Sequence, residues 1–147
     1  MRRRALPDPA ATDALGAALA SRLRAGDVVC LRGPLGAGKT SLARGLIAAL
    51  GGGQDAPSPT FTLVQTYETD PPLWHFDLYR LTDPEEIWEL GWEEAREEAA
   101  CLIEWPERLG RHLPADRLEI ALSFDGDGRS AALEPCSETW LNRIHDL

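Results

Sequence analysis

Apolar positions repeat with two periods along this chain. Leu15, Leu19 and Leu23 recur at helical spacing behind Asp8-Pro9, a capping residue followed by a first-turn proline, and Gly26 ends the run. The pattern predicts a helix there. Asp27–Leu31 is a short apolar run that predicts a buried strand, and Ser41–Leu50 predicts a second helix, stopped by Gly51-Gly-Gly53. Two prolines flank Ser58, so Ala56–Phe61 is expected to be stiff and extended. Phe61–Tyr67 alternates and predicts a strand, Asp70-Pro-Pro72 a turn, and Leu73–Tyr79 a second strand antiparallel to the first. Asp83-Pro84 opens a helix that runs to Gly91, and another follows from Trp92 to about Ala99. Ala100–Glu104 is a compact apolar run ending in a carboxylate. Arg117–Phe124 alternates as a half-exposed strand, Asp125–Gly128 is a hairpin signal, and Arg129–Glu134 is the return strand. Ser137 caps a short last helix, with Trp140, Leu141 and Ile144 expected on one side.

The join between the first predicted strand and the second helix carries the chemistry. Gly33-Pro-Leu-Gly-Ala-Gly-Lys39-Thr40 fits Gly-x-x-x-x-Gly-Lys-[Ser/Thr] at every fixed position. Glycines let the backbone curl and aim successive N–H groups at phosphate oxygens, and the helix N-terminus adds partial positive charge. Leu35, Gly36, Ala37, Gly38, Lys39, Thr40 and Ser41 are therefore the expected nucleotide-binding residues. Lys39 can reach the β- and γ-phosphates, and Thr40 offers a hydroxyl to Mg²⁺. Lys39 is the only lysine, against fourteen arginines. A chain that otherwise uses Arg keeps Lys where a guanidinium fork would not substitute.

Bulk properties narrow the alternatives. At 147 residues the chain is expected to form one domain, residues 1–147. A net charge of −9 argues against broad contact with nucleic-acid backbone, which needs a basic face. Cys30, Cys101 and Cys136 lack metal-type spacing and read as small hydrophobes in a reducing cytosol. Met1-Arg-Arg-Arg4 resembles the start of a signal segment, but no apolar stretch follows, and no run is long enough to span a membrane. There are no internal repeats or low-complexity tracts.

Further candidates lie downstream. Thr60 is either a strand-start residue or a switch hydroxyl near the γ-phosphate. Asp77 stands among Phe76, Leu78 and Tyr79, where a carboxylate needs a partner: Mg²⁺, an attacking water or Arg80. His75 reads first as a strand residue with a local hydrogen bond, and second as a catalyst. Ala100–Glu104 has the form of a buried parallel strand beside the P-loop strand, delivering Glu104 next to the nucleotide to orient Mg²⁺ or its water. Trp105 either packs against the nucleotide site or fills a crevice. Thr12 is a candidate for the neighbourhood of the base. From Glu85 to Glu104 the chain carries eight glutamates and one arginine, a solvated face or a docking face for a basic partner.

Taken together, Gly36–Thr40, Ser58-Pro-Thr-Phe61, His75-Phe-Asp-Leu-Tyr-Arg80 and Ile103-Glu-Trp-Pro-Glu107 resemble the TsaE (formerly YjeE) family of bacterial ATPases in the tRNA threonylcarbamoyladenosine pathway. The likeness runs from roughly Asp8 to Phe124. It implies an α/β P-loop NTPase fold: a largely parallel central sheet, helices on both faces and antiparallel additions. It implies ATP hydrolysis with Mg²⁺, a cytoplasmic setting, and TsaD and TsaB as partners, with tRNA reached only through them. In that pattern Lys39 and Thr40 keep their roles, Thr60 lies in a switch-like segment, Asp77 takes the position needed for hydrolysis, Glu104 the magnesium-linked one, and Trp105 that of a tryptophan beside the nucleotide. Pro34 stands where an acidic residue is expected, and Trp92–Glu98 is more charged than typical. Neither departure removes a chemical group from the site. A small-molecule P-loop kinase and a nucleotide-dependent binding module are the alternatives; the chain has no arginine-rich lid for the former. No Asn-Lys-x-Asp motif exists, which argues against a GTPase. Isolated turnover is expected to be slow, because Arg80 is the sole nearby candidate for an arginine finger.

Overall fold

A computed structural model describes residues 2–52 and 63–147. Among the described residues, seven strands form one sheet: β1 (Arg2–Leu6), β2 (Val28–Arg32), β3 (Val64–Tyr67), β4 (Leu73–Asp77), β5 (Ala100–Glu104), β6 (Leu118–Asp125) and β7 (Gly128–Pro135), in the order β1-β7-β6-β2-β5-β4-β3. The centre is parallel: β2 pairs with β5 and β6, and β5 with β4. The edges are antiparallel, through β3–β4, β6–β7 and β1–β7. This is the expected α/β P-loop architecture. The first strand was not anticipated. Arg2-Arg-Arg4 has no apolar alternation, and β1 is recruited by the exposed edge of β7.

Helices α1 (Pro9–Ala20), α2 (Lys39–Ala49), α3 (Trp92–Glu98) and α4 (Glu138–Ile144) cover the sheet. The period of two along the strands sorts the core into two layers. Val29, Leu31, Leu73, Ala100 and Leu102 face α1 and α2, with Leu15, Leu19, Leu42 and Leu46. Val28, Cys30, Phe76, Cys101 and Ile103 face the other way, against Ile87, Trp92, Ala95 and Leu109. Central strands buried on both sides explain the continuous apolar runs in the sequence.

Several element ends differ from expectation. Helix α1 begins where Asp8 accepts from the Ala11 N–H at 2.9 Å, but it stops at Ala20, six residues before Gly26. Asp83 and Glu86 form the reciprocal capping box expected of a helix start, yet Pro84–Leu90 winds as a 3₁₀ helix. Pro106–His112, for which no element was expected, is also 3₁₀, with a kink at Gly110. In α4, Trp140 and Ile144 are buried, but Leu141 is 52% exposed and does not share their side. That helix is tied down by Arg143, which makes two bonds to the Asp27 carboxylate at 2.5 and 2.9 Å, beside the start of β2.

The contact that positions the site most tightly is the crossing of α1 on α2. A β-carbon at Gly16 would lie 2.3 Å from the Leu42 carbonyl oxygen, and one at Gly45 would lie 2.4 Å from that of Asp13. Backbone meets backbone at both points, so only glycine fits. Gly16→Ala is expected to destabilise the fold by about 1–3 kcal/mol through overpacking, read as a lower urea midpoint at unchanged slope. The thiols give a second check. Burial pushes Cys30 and Cys101 up to about 12, so both stay thiols near neutral pH while folded. A disulfide-exchange reagent at pH 8 should titrate Cys136 alone in the native protein, and all three thiols in urea.

Candidate functional site

Strand β2 feeds directly into the glycine-rich loop, and Gly38, at φ 105°, caps the N-terminus of α2 in the left-handed region. Among the described residues no side-chain cap bond is made at this helix start, which suits its first N–H groups to a ligand. Side chains along the loop divide sharply. Leu35 is 92% exposed at its tip, whereas Ala37 and Lys39 are buried. A β-carbon at Gly38 would come within 3.5 Å of Thr12 Cγ2, so the crossing of α1 on α2 places Thr12 against the loop. Ser41 Oγ donates to Asp13 Oδ1 at 2.7 Å, a second tie between the helices at this level.

The parallel register brings acids to the loop. Leu31 of β2 stands opposite Glu104 of β5, and Glu104 opposite Asp77 of β4. By the period of two, both carboxylates share the sheet face of Leu73, Ala100 and Leu102, the face covered by α2. Glu104 is 4% exposed, and its Oε2 lies 2.8 Å from Nε2 of His75, itself 2% exposed. Asp77 Oδ1 accepts from the Tyr79 N–H at 3.2 Å, and the Leu78 N–H donates to the Glu104 carbonyl at 3.1 Å, which locks the two strand ends together.

Past Glu104 the chain turns sharply. Trp105 has φ 60° and ψ 52°, a left-handed conformation that a bulky side chain adopts only where its surroundings impose it. The turn swings the indole onto Lys39, whose Nζ lies 4.4 Å from the ring centroid, while Tyr79 packs on the indole with centroids 5.0 Å apart. Behind the loop, Arg32 donates to Glu119 at 2.8 Å and to Glu107 at 2.9 Å; the hydrogen bond to Glu119 holds its guanidinium above the ordinary range. The start of the loop is thereby clamped between two elements.

On the far side of the loop lies a cleft of about 210 Å³, lined among others by Pro7, Thr12, Gly38, Ser41, Asp127 and Arg129. Arg129, from the β6–β7 hairpin, donates to the Gly36 carbonyl at 3.3 Å and stacks on Phe124 at 4.6 Å.

Comparison with known proteins gives the family. The family model described as "Threonylcarbamoyl adenosine biosynthesis protein TsaE" matches residues 6–131. The chain belongs to the TsaE family. A relative from Rickettsia felis, named tRNA threonylcarbamoyladenosine biosynthesis protein TsaE, is 45% identical over 76% of this chain and 66% of its own length. Relatives of the same name from Rickettsia conorii and Bacillus subtilis are 44% and 38% identical, over 83% and 82% of this chain and 71% and 76% of their own. The match thus spans just under two thirds of the first relative's length. The crystal structure of Bacillus subtilis YdiB superposes with a TM-score of 0.80 at 26% identity, covering 99% of this chain and 92% of that one.

Against that family background, the structure brings together Thr12, Gly36–Ser41, Asp77, Glu104 and Trp105 at one end of the sheet. Thr60 lies outside the described residues. Sequence reasoning missed Arg129, Asp127 and the partner of His75. A hairpin residue distant in the chain carries no local mark of contact with the loop. His75 was read as a strand residue with a local hydrogen bond, but its partner is Glu104, 29 positions away.

The residues present suit Mg²⁺. Among the described residues there is no cluster of three or more His, Cys, Asp or Glu side chains able to hold a metal alone. Mg²⁺ needs none: it keeps several waters and takes one or two carboxylates together with phosphate oxygens. A hydroxyl at Thr40 and the carboxylates of Glu104 and Asp77 would be such a donor set.

Because Gly38 holds a positive φ against Thr12, Gly38→Ala is expected to weaken nucleotide binding at least tenfold by calorimetry, with a smaller loss of fold stability.

Proposed function

We propose that this chain binds and hydrolyses ATP with Mg²⁺ as the ATPase of tRNA threonylcarbamoyladenosine synthesis. The observation that carries the reading is the register Leu31–Glu104–Asp77, which sets two carboxylates beside a phosphate-binding loop on the face of α2. Family membership supports the assignment to that pathway.

The loop amides and the α2 N-terminus receive the phosphate oxygens, and Lys39 leaves or shares its indole contact to meet the β- and γ-phosphates. Thr40 and Glu104, with Asp77 beside them, would hold Mg²⁺, which when bound neutralises charge on the phosphates. Asp77, at the strand end, orients the water for in-line attack on the γ-phosphate, and Thr60 is the candidate switch hydroxyl for that step. The cleft walled by Thr12 and Arg129 receives the nucleoside, and Trp105 closes the phosphate side. The energetic work is positioning and charge stabilisation, so a missing arginine finger costs rate rather than binding. Arg80 is the nearest arginine in sequence to the acids, and a partner completes the site. That partner is the TsaD–TsaB pair, in the cytoplasm, with tRNA contacted through it. Among the described residues no helix is long and apolar enough to cross a membrane.

Phosphate release from ATP, measured with and without TsaD and TsaB, is expected to be slow alone and accelerated by the pair. Lys39→Ala and Asp77→Ala should bring it to background, Lys39→Ala by losing binding and Asp77→Ala with binding retained. Appearance of the γ-phosphate on a small-molecule acceptor would make the protein a kinase. ATP binding that partners never convert to hydrolysis would make it a binding module.

A further inference from the structure

We infer that His75 is a positioning residue that sets the Glu104 carboxylate for the metal; this rests on the reading of Glu104 as a magnesium ligand. His75 and Glu104 project from adjacent parallel strands onto the same face, two positions apart in register, since His75 stands opposite Leu102. Their contact, Nε2 to Oε2 at 2.8 Å, is buried on both sides, at 2% and 4% exposure. Imidazole Nδ1 is also buried, and it finds no hydrogen-bond partner among the described residues.

That asymmetry assigns the tautomer. A buried N–H without an acceptor is costly, whereas a bare ring lone pair in apolar surroundings costs less. The hydrogen therefore lies on Nε2 and is donated to Glu104. A hydrogen bond at this position fixes the side-chain torsion of Glu104, and with it the direction in which the carboxylate presents its oxygens to a cation. An arginine or lysine in the same place would form a closed ion pair and compete with the metal. A purely structural polar pair has no need to be built beside the strand ends that meet the loop, on a face shared with Asp77 and lined below by Leu73, Ala100 and Leu102. Partners that hydrogen-bond a metal ligand orient it, and their loss typically costs 10–100-fold in metal affinity or activity.

The test uses His75→Leu, which fills the space without a donor, and His75→Gln, whose amide can donate, with Glu104→Gln as the reference. ATP affinity is measured calorimetrically in EDTA and across a Mg²⁺ titration. Mn²⁺ binding to the ATP complex is followed by electron paramagnetic resonance, and urea unfolding is recorded for each variant. His75→Leu is expected to keep its metal-free ATP affinity within about twofold and to need 10–100-fold more Mg²⁺ or Mn²⁺. His75→Gln should recover most of that loss at similar stability. If Glu104→Gln raises the metal requirement and His75→Leu does not, the positioning role is wrong while the reading of Glu104 survives. If Glu104→Gln leaves the requirement unchanged, the reading of Glu104 fails and the role of His75 fails with it. A His75→Leu protein whose metal-free affinity falls in step with its stability overturns the inference in favour of a packing role.

Discussion

Parallel pairing of β2, β5 and β4 is the constraint on which the rest of the molecule depends. A parallel sheet points all its strand ends the same way, so whatever each strand carries last arrives at a common edge. Here β2 arrives as the start of a glycine-rich loop, and β5 and β4 arrive as Glu104 and Asp77. The register is specified by burial. A slip of one residue would turn Leu102 and Glu104 to the opposite layer and Cys101 and Ile103 onto α2. Hydrophobic sorting of the two layers thus also fixes which face the acids take. Stability and the candidate chemistry are set by the same alternation.

A second constraint lies above the sheet. Glycines at positions 16 and 45 let α1 and α2 touch backbone to backbone, which is closer than any side chain would allow. This draws Thr12 onto the loop and shapes the cleft between α1 and the β6–β7 hairpin. The left-handed turn at Trp105 does the equivalent on the other side, bending the chain off β5 so that the indole meets Lys39. The loop is held from three directions, with Arg32 pinned between Glu107 and Glu119 beneath it. Such bracing keeps donors aimed before a ligand arrives, which lowers the reorganisation that binding would require.

Local rules carried a good part of this into the sequence. The loop motif, the Asp8 cap, the Asp125–Gly128 hairpin and the apolar run ending in Glu104 are short-range signals with direct mechanisms, and each appears where the pattern places it. What was illegible depends on tertiary context. Strand β1 consists largely of arginines and exists because β7 offers an unpaired edge. Pro84–Leu90 has every mark of a helix start, yet only seven residues separate its cap from Gly91, too few to propagate an α-helix well, and it settles as 3₁₀. Leu141 satisfies helical spacing with Trp140 and Ile144, but a seven-residue helix on an edge buries a narrow stripe. Arg129 and the His75–Glu104 pair are products of topology, invisible to any window of neighbouring residues.

The account stands on the claim that one metal site joins the loop to the strand-end acids. The most direct measurement is anomalous scattering from Mn²⁺ in crystals grown with a non-hydrolysable ATP analogue. The account predicts a single strong peak at roughly 2 Å from the Thr40 hydroxyl and a phosphate oxygen, with the Glu104 carboxylate bound directly or through one water. A nucleotide in the loop whose metal ignores Glu104 and Asp77, or a peak elsewhere on the molecule, would contradict it.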